Sequence, residues 1–495
     1  MSTSAAPAAG GLRLGTSAGR WVILAAVLGS GIAFLDSTVV NVALPAIADD
    51  LGGGLSGLQW TVDAYLLTLS ALLLLGGALG DEMGRRRVFV FGLIAFTTAS
   101  VLCGLAPNIG TLIAARALQG VGGAFLVPGS LALISASFAS EDRGAAVGTW
   151  SGLTGVSTAI GPFLGGWLVD AASWRYVFLI NVPLAAVAVF ITLRHVPESH
   201  DPDATGHPDY IGAGAVTVGL AGVVYALIEG PKQDWSAGVV LAGVIGVAAL
   251  VAFPLIEQRR SHPLVPLAIF RSRQFSGANL TTFAVYAGLG VAMFLVVLEL
   301  QTVLGYSAIA AGSALLPITI FTLLLSARFG RLAQRIGPRL PMTIGPFVVA
   351  IGLALLSLVD GRSSYWTDVL PGMCVLGLGL AITVAPLTAA VLAAVDDRHV
   401  GVASGVNNAV ARVAGLLAVA VLPALAGLET AASGAEFTEG YQQALLIAAG
   451  LAVVGGVVSW LTIRTAAKVR TPTSASPVFA CQDFCVREEE GRAAA

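Results

Sequence analysis

The chain has 495 residues, of which 11% are charged and 56% are hydrophobic, and its mean hydropathy is +0.86. Soluble proteins carry about 25% charged residues, so this chain does not have enough charge to cover a soluble surface of its size. A net charge of −2 also excludes the strongly basic field that nucleic-acid binding requires, and no nucleic-acid partner is expected. The composition instead predicts a helical protein that crosses the lipid bilayer many times.

Fourteen apolar windows follow one another along the chain, each near the ~20 residues that a membrane-spanning helix needs. They cover residues 21–45, 58–80, 88–106, 109–131, 146–169, 174–194, 209–229, 237–256, 275–300, 309–328, 341–359, 367–391, 401–425 and 441–463. An even number of spans places both chain termini on the same side of the membrane. The predicted fold class is an all-α polytopic membrane protein with 14 transmembrane helices.

The Lys and Arg residues are distributed unevenly between these windows, and their distribution predicts which side the termini occupy. If both termini are cytoplasmic, 21 of the 26 Lys and Arg residues fall in cytoplasmic segments, three fall outside and two lie within windows. Short cytoplasmic loops collect Lys and Arg, so this arrangement is the expected one. Because Arg outnumbers Lys by 24 to 2 and Ala and Gly are abundant, we expect the cytoplasmic membrane of a bacterium with a GC-rich genome.

An internal repeat relates the first six windows to the last six, at an offset of 253 residues for its clearest motif. The repeated positions are Gly77, Asp81, Gly84 and Arg86 after the second window, and Gly330, Gln334, Gly337 and Arg339 after the tenth. A second repeated pattern is Gly120-x-Gly122 in the fourth window and Gly377-x-Gly379 in the twelfth. Parallel repeats of this kind are typical of transporters whose binding site lies near the membrane midplane, between the two halves.

The repeat also predicts how the chain is organised. The expected segments are a cytoplasmic N-terminal tail (1–20), an N-terminal six-helix bundle (21–194), two inserted transmembrane helices with flanking linkers (195–274), a C-terminal six-helix bundle (275–463) and a cytoplasmic tail (464–495). The second tail contains Pro, Ser and a run of Glu, a composition that buries too little apolar surface to fold. We therefore predict that it is disordered.

Five charged residues fall well inside the predicted spans, namely Asp36, Asp63, Glu299, Arg116 and Arg412. A charge at a helix centre costs about 2.5–3.5 kcal/mol on insertion scales, so these side chains are expected to face the bundle interior or water and to find partners. At 1.5 Å per residue, Asp36, Arg116 and Asp63 each lie about 8–10 Å from the outer edge of the hydrocarbon core. These three residues can therefore share one level of the membrane.

We interpret Asp36 as a residue that exchanges a proton, while Arg116 beside it favours the ionised carboxylate. A fixed structural ion pair that never titrates is the alternative. Asp63 and Glu299 are further candidates for proton coupling, although Asp63 lies close enough to the outer surface to extend its carboxylate to water. Arg412 lies more centrally in its window and is expected to face the substrate or to act in gating.

Several segments resemble motifs of a known family. They are residues 35–45, 77–87, 112–122 with Arg116 and Gln119, 155–166, and 173–183 with Asn181. Together they resemble the major facilitator superfamily, and specifically its fourteen-helix drug:proton antiporter branch, over nearly all of residues 20–463. The resemblance implies two six-helix bundles plus two inserted helices. Asn408, beside Arg412, and Asn41 join Arg412 as candidate substrate-facing or gating residues.

The resemblance implies a conformational latch for the outward-facing state in the loop after the second window. Its residues are Gly77, Asp81, Gly84, Arg85 and Arg86. In that state the arginines are expected to pair with acids across the interface between the halves. A positive-inside topology anchor explains the arginines equally well, but it does not explain Asp81. Glu82 replaces the basic residue usual in the family and Gln334 replaces the acid in the second half, so the latch is expected to be asymmetric.

The fifth window carries small residues and a proline that are similar to the antiporter motif of the family. These residues are Gly155, Gly161, Pro162, Gly165 and Gly166. The resemblance implies a bend that controls a proton leak route. Ordinary close packing of helices is the structural alternative, and it is compatible with the first interpretation because glycines allow close approach and proline weakens the backbone ladder.

The sequence contains no G-x4-G-K-[ST] phosphate loop and no His/Cys cluster, so we expect no P-loop ATP hydrolysis, no enzyme activity, no cofactor and no metal. The favoured function is proton-coupled export of hydrophobic or amphipathic drugs and antibiotics, by alternating access and as a monomer. The expected partners are the small-molecule substrate, protons and the lipid bilayer. A dedicated exporter of one endogenous metabolite, such as a self-made antibiotic, is the alternative, and a non-transporting membrane receptor is a third.

Overall fold

The computed structural model describes residues 11–200, 209–260, 263–396, 399–428 and 434–464. Within these ranges it has fourteen helices long and apolar enough to cross a membrane, which confirms the predicted number of spans. They are α1 (Ser17–Leu51), α2 (Gly54–Met83), α3 (Arg85–Gly104), α4 (Ile109–Ser137), α5 (Glu141–Ala171), α6 (Tyr176–His195), α7 (Tyr210–Glu229), α8 (Ala237–Glu257), α9 (Arg273–Val303), α10 (Ala308–Ile336), α11 (Arg339–Leu356), α12 (Tyr365–Leu392), α13 (Val400–Leu425) and α14 (Gly434–Thr462). The predicted disorder after residue 464 concerns residues outside the described ranges.

The helices form two bundles of six, with α7 and α8 added at the side. In the first bundle α4 packs against α2 and α3, and α1 packs against α5; in the second, α12 packs against α10 and α11, and α14 against α9 and α11. Inserted helix α7 contacts both α2 and α13, whereas α8 packs mainly against α7. The predicted fold class, two six-helix bundles plus two inserted helices, is confirmed.

The repeated glycines explain why the two bundles have the same internal packing. A Cβ atom added at Gly120 or Gly122 would overlap backbone atoms of α2 and α3, respectively. Corresponding additions at Gly377 and Gly379 would overlap backbone atoms of α10 and α11. Because only glycine leaves room for these approaches, α4 and α12 each lie in the groove between the two preceding helices of their bundle.

Helix α6 is interrupted, which the hydropathy pattern did not predict. One turn covers Tyr176–Leu179, and the main segment is Asn181–His195. Pro183 has no backbone N–H to donate to the carbonyl of Leu179, so the regular ladder cannot continue through this point. The interruption places Asn181 at the start of the second segment, where its side chain is fully buried.

Three helices of the second bundle are also irregular near one end, and one of them, α12, begins with a π-helical turn, Tyr365–Val369. Helix α9 closes with a π-helical turn, Glu299–Val303, and α10 is divided at Leu315 into Ala308–Ala314 and Leu316–Ile336. π-Helical turns inside longer helices are frequent at functional sites. The π-helical turn of α9 contains Glu299, one of the candidates for proton coupling.

The bundles contact each other differently at their two ends. We call the end with Ser17 and Thr462 the terminal end and the opposite end the distal end. Along α2 and α13 contact extends from the Gln59–Val419 hydrogen bond to Leu74, whose side chain lies near Gly405 toward the terminal end. Helices α5 and α10, in contrast, touch mainly at the distal end, and most residues of their terminal halves are exposed.

Candidate functional site

The first bundle contains a carboxylate that no solvent reaches. Asp36 lies at the middle of the long helix α1 and has 0% exposed surface. Its Oδ2 accepts a hydrogen bond from Nη1 of Arg116 at 2.5 Å. Its Oδ1 accepts from Nε2 of Gln119 at 2.7 Å and from Nδ2 of Asn181 at 3.0 Å. Three donors from α4 and α6 therefore surround the Asp36 carboxyl group.

Arg116 is equally buried, with 1% of its surface exposed. Its Nε donates to the carbonyl of Thr61 at 3.0 Å, and its Nη1 donates to Oε1 of Gln119 at 2.5 Å. The guanidinium lies 4.3 Å from the centre of the Tyr65 ring, within the range of a cation–π contact. These contacts replace water around the cation, which a buried ion pair needs to offset its desolvation.

Neutral side chains complete this network; Gln119 and Asn181 belong to motifs that resemble the family, whereas nothing in the sequence indicated Ser100 or Cys103. Ser100 Oγ accepts from Gln119 at 2.8 Å and from Asn181 at 2.8 Å. Cys103 Sγ lies 3.6 Å from Oε1 of Gln119. Arg116 and Gln119 are three residues apart and so lie on one face of α4, a spacing that could have indicated Gln119. We call Asp36, Arg116, Gln119, Ser100 and Asn181 the Asp36 network.

Asp63 lies outside the Asp36 network, although its depth in the membrane is similar. Its exposed surface is 0%, and both carboxylate oxygens lack a hydrogen-bond partner among the described residues. Gln59 and Leu67, each one turn away on α2, contact α13. Asp63 therefore faces the seam between the two bundles, and its carboxylate does not reach water as the alternative interpretation supposed.

Glu299 is a buried carboxylate of the second bundle. Its exposed surface is 0%, its Oε1 accepts from Oγ1 of Thr438 at 2.7 Å, and its Oε2 has no partner among the described residues. The π-helical turn that begins at Glu299 carries it near the distal end of α9, in contact with α14. None of its described hydrogen bonds connects it to the Asp36 network.

The residues predicted to face substrate lie on helices of both bundles. Arg412 of α13 has its guanidinium carbon 5.4 Å from the ring centre of Phe34 on α1, and its Nε has no partner among the described residues. Asn41 and Asn408 are half-buried, and among the described residues each donates to a carbonyl one turn earlier in its own helix. Their polar groups thus remain able to contact a ligand between the bundles.

The loop between α2 and α3 holds the predicted latch. Arg85 donates to Oδ1 of Asp81 at 2.8 Å, and Gly84 adopts φ = +107°, a left-handed conformation that favours glycine. The backbone N–H of Arg86 and its guanidinium contact Glu198, in the segment after α6. In the structure these arginines pair beside the first bundle, and pairing across the interface between the bundles stays a prediction for another state.

The glycines of α5 divide into a packed group and an open group. Gly161 lies against the Thr38 side chain and Gly165 against the backbone of Val39, both in α1, and Gly166 lies against the backbone of Ala308 in α10. Pro162 contributes its carbonyl to the close approach of Gly312. A Cβ added at Gly155, in contrast, would meet no atom within 4 Å. The motif therefore tightens the distal half of α5 and leaves its terminal half free.

Gly166→Ala should weaken the distal contact between α5 and α10, because the new methyl group would overlap the backbone of Ala308. Overpacking of this kind costs about 1–3 kcal/mol, so we expect a shift toward separation of the distal ends. Energy transfer between dyes on cysteines replacing the exposed Ala172 and Arg362 measures that separation. Gly155→Ala is the matched control, and an equal response of both variants would contradict the packing account.

The architecture defines a polytopic membrane protein with a buried charge network in one bundle and polar residues between two bundles. A family model described as Major Facilitator Superfamily matches residues 26–419. The chain therefore belongs to the major facilitator superfamily and is a membrane transporter, not an enzyme. A D-xylose–proton symporter of known structure superposes with a TM-score of 0.64 at 16% identity, covering 90% of this chain and 98% of the symporter, which supports the fold.

Three bacterial relatives have names that refer to resistance. Multidrug resistance protein Stp of Mycobacterium tuberculosis is 35% identical, covering 81% of this chain and 74% of that protein. The methylenomycin A resistance protein of Bacillus subtilis is 36% identical, with coverages of 82% and 87%. The puromycin resistance protein pur8 of Streptomyces alboniger is 35% identical and covers 96% of this chain and 97% of its own length. Relatives of this transporter thus act in drug and antibiotic resistance.

Proposed function

We propose that the chain is a proton-coupled antiporter that exports hydrophobic or amphipathic drugs or antibiotics by alternating access. The observation that carries this proposal is the Asp36 network, in which one carboxylate is held away from water by one cation and two amides. Protonation would neutralise Asp36 and leave Arg116 without its counter-ion. Binding and release of one proton would therefore change the charge balance at the core of the bundle.

The other buried carboxylates support coupling to protons. Asp63 and Glu299 are buried, and each has at least one carboxyl oxygen without a hydrogen-bond partner among the described residues; burying an unpaired charge is costly. Asp63 faces the seam between the bundles, which changes during alternating access. Arg412, Asn41 and Asn408 would contact substrate or gate its path, since they lie on helices that face each other across the bundles.

We place the protein in the bacterial cytoplasmic membrane, with both termini in the cytoplasm. The uneven distribution of Lys and Arg supports this orientation. The distal end then faces outward, and the distal contacts between α5 and α10 close the outer side. Asp81 and the loop arginines would complete the opposite closure at the cytoplasmic side when the outer side opens.

A second candidate function is export of one dedicated metabolite, such as an antibiotic made by the same cell. It is favoured by two relatives whose names refer to single antibiotics, methylenomycin A and puromycin. The two candidates differ in substrate range and not in mechanism. The Asp36 network would serve both in the same way.

Everted membrane vesicles with an acidic interior test the proposal. Adding a transported compound should release protons from the vesicles, which a pH-sensitive dye in the lumen detects. A response to many unrelated compounds supports multidrug export, and a response to one compound supports the dedicated exporter. Transport that continues unchanged after the proton gradient is collapsed would overturn the antiport mechanism.

Asp170→Ala should open the outer side. The Asp170 carboxylate accepts from the backbone N–H groups of Ala308 at 3.1 Å and Ile309 at 2.9 Å, at the first turn of α10 in the other bundle. Hydrogen bonds to a charged group are worth about 1.5–3 kcal/mol, so the ratio of closed to open molecules should fall at least ~10-fold. Energy transfer between dyes at positions 172 and 362 measures this ratio.

The exposed Asp49 on α1 provides a matched control for Asp170, because both acids lie at the distal end but Asp49 has no described contact with α10. Asp49→Ala should leave the energy-transfer distribution unchanged. If Asp170→Ala also leaves it unchanged, the carboxylate does not stabilise the closed arrangement.

A further inference from the structure

The amide of Asn181 differs from every other partner of Asp36 in having an unused acceptor. Its Nδ2 donates to Oδ1 of Asp36 at 3.0 Å and to Oγ of Ser100 at 2.8 Å. Its own oxygen, Oδ1, is buried and has no hydrogen-bond partner among the described residues. Buried amide oxygens are normally paired, so this free acceptor is an unusual feature at the centre of the network.

The other donors to Asp36 cannot change their role. Arg116 has only donors. Gln119 is fixed, because its Oε1 accepts from Nη1 of Arg116 at 2.5 Å and from Sγ of Cys103 at 3.6 Å. Turning the Gln119 amide would place its N–H groups against the guanidinium, donor against donor. Only Asn181 can turn its amide without losing an acceptor that another residue uses.

A carboxylate and a carboxylic acid need different partners. The carboxylate accepts hydrogen bonds only, whereas the acid has an O–H that must donate to an acceptor when it is buried. A half-turn of the Asn181 amide exchanges Nδ2 and Oδ1 and so supplies that acceptor. The hydroxyl of Ser100 can follow, since it accepts from an N–H in one arrangement and donates to the amide oxygen in the other.

We propose that Asn181 is a positioning residue that follows the charge of Asp36, donating to the carboxylate and accepting from the carboxylic acid after its amide turns. The proton forms an O–H bond on Oδ1 of Asp36, and Gln119 keeps its bond to the same oxygen. Arg116, Tyr65 and Cys103 are the charged or titratable groups that face Asp36 from α4, α2 and α3, and Arg412 lies beyond Tyr65 on α13. The two arginines have only donors, and the described hydrogen bond of the Tyr65 hydroxyl is to the carbonyl of Ala33 at 3.2 Å. The inference rests on the proposed role of Asp36 in proton coupling.

Infrared difference spectra of the purified full-length protein, recorded between high and low pH, test the inference. The acid form of Asp36 contributes a C=O stretching band, which Asp36→Asn removes. In Asn181→Leu that band should shift to higher frequency, because the O–H loses its acceptor. Asn279→Leu is the matched control, since Asn279 is a buried amide in α9 of the other bundle and should leave the band in place.

The pH profile of transport gives a second readout that a merely structural residue would not move. Asn181→Leu removes a hydrogen bond to the Asp36 carboxylate, and hydrogen bonds to charged groups are stronger than those to neutral groups. The substitution therefore destabilises the carboxylate more than the carboxylic acid and favours protonated Asp36. The pH of half-maximal transport should rise by about one unit. If Asn181→Leu does not fold, Asn181→Ala removes the same amide with less volume and should give the same two shifts.

The outcomes separate the inference from the proposed function. A band removed by Asp36→Asn but unmoved in the Asn181 variants would overturn the role of Asn181 and leave proton binding at Asp36 intact. A wild-type spectrum without any band that depends on Asp36 would overturn the proposed function itself. A shifted band together with a raised pH midpoint supports both.

Discussion

Replacing Asp36 by Asn should reduce transport driven by a pH gradient at least ~100-fold, the effect expected when the one essential proton-exchanging group is lost. Asparagine keeps the shape of the side chain and can still bond to Arg116 and Gln119, but it cannot bind a proton. Exchange of labelled for unlabelled substrate without a gradient should persist, because exchange requires no net proton movement. Uptake and exchange in proteoliposomes measure the two activities separately.

Two controls make the Asp36→Asn result interpretable. Asp49→Asn removes an exposed acid from the same helix and should leave both activities intact. The double variant Asp36→Asn with Arg116→Gln removes both charges, so that it avoids a buried unpaired cation while remaining unable to couple. Full dependence of the rate on the pH gradient in Asp36→Asn would show that the coupling proton binds elsewhere.

Arg116→Gln alone should destabilise the protein by about 3–5 kcal/mol, because it leaves the buried Asp36 carboxylate without its cation. Asp36→Asn alone should have a similar cost for the opposite reason. The double variant should lose much less than the two single variants together, since contacting residues couple strongly. The free energies of unfolding of the wild type, the two single variants and the double variant, measured in mixed micelles, give the coupling energy between Asp36 and Arg116.

Additivity of the two single variants would contradict the account of Arg116. It would mean that Arg116 is stabilised mainly by Thr61 and Tyr65 and that the contact with Asp36 contributes little. A large coupling energy would show instead that the two charges depend on each other. Protonation of Asp36 can affect α4, which carries Arg116, only if the two charges are coupled in this way.

The transmembrane architecture was predictable because it depends on quantities that a sequence states directly. The length of apolar windows determines the spans, and the alternation of successive spans determines which loops share a side. The interruption of α6 and the π-helical turn of α9 were not predictable in the same way. Each depends on which backbone N–H and C=O groups form hydrogen bonds in the folded structure, and hydropathy carries no information about those bonds.

From the cost of burial alone, the site was predictable only where it carries charge. Burial of Asp36 and Arg116 is costly in any membrane, so their depths alone suggested that they meet. Gln119, Ser100 and Asn181 are neutral, so the cost of burial gives no comparable signal for them. Gln119 and Asn181 were indicated only by motifs that resemble the family, and Ser100 by neither argument. A charge can also be misplaced by this argument. The depth of Asp63 in the membrane predicted that it lies near Asp36, whereas its position around the axis of α2 directs it toward α13.

The most direct measurement is the number of protons that the purified transporter releases when substrate binds. In weakly buffered detergent solution, a pH-sensitive dye reports that number for the wild type, Asp36→Asn and the control Asp49→Asn. If Asp36 exchanges the coupling proton, the wild type and Asp49→Asn release protons on binding, and Asp36→Asn releases about one proton fewer per molecule. Equal release by the wild type and Asp36→Asn would contradict the assignment of the coupling proton to Asp36.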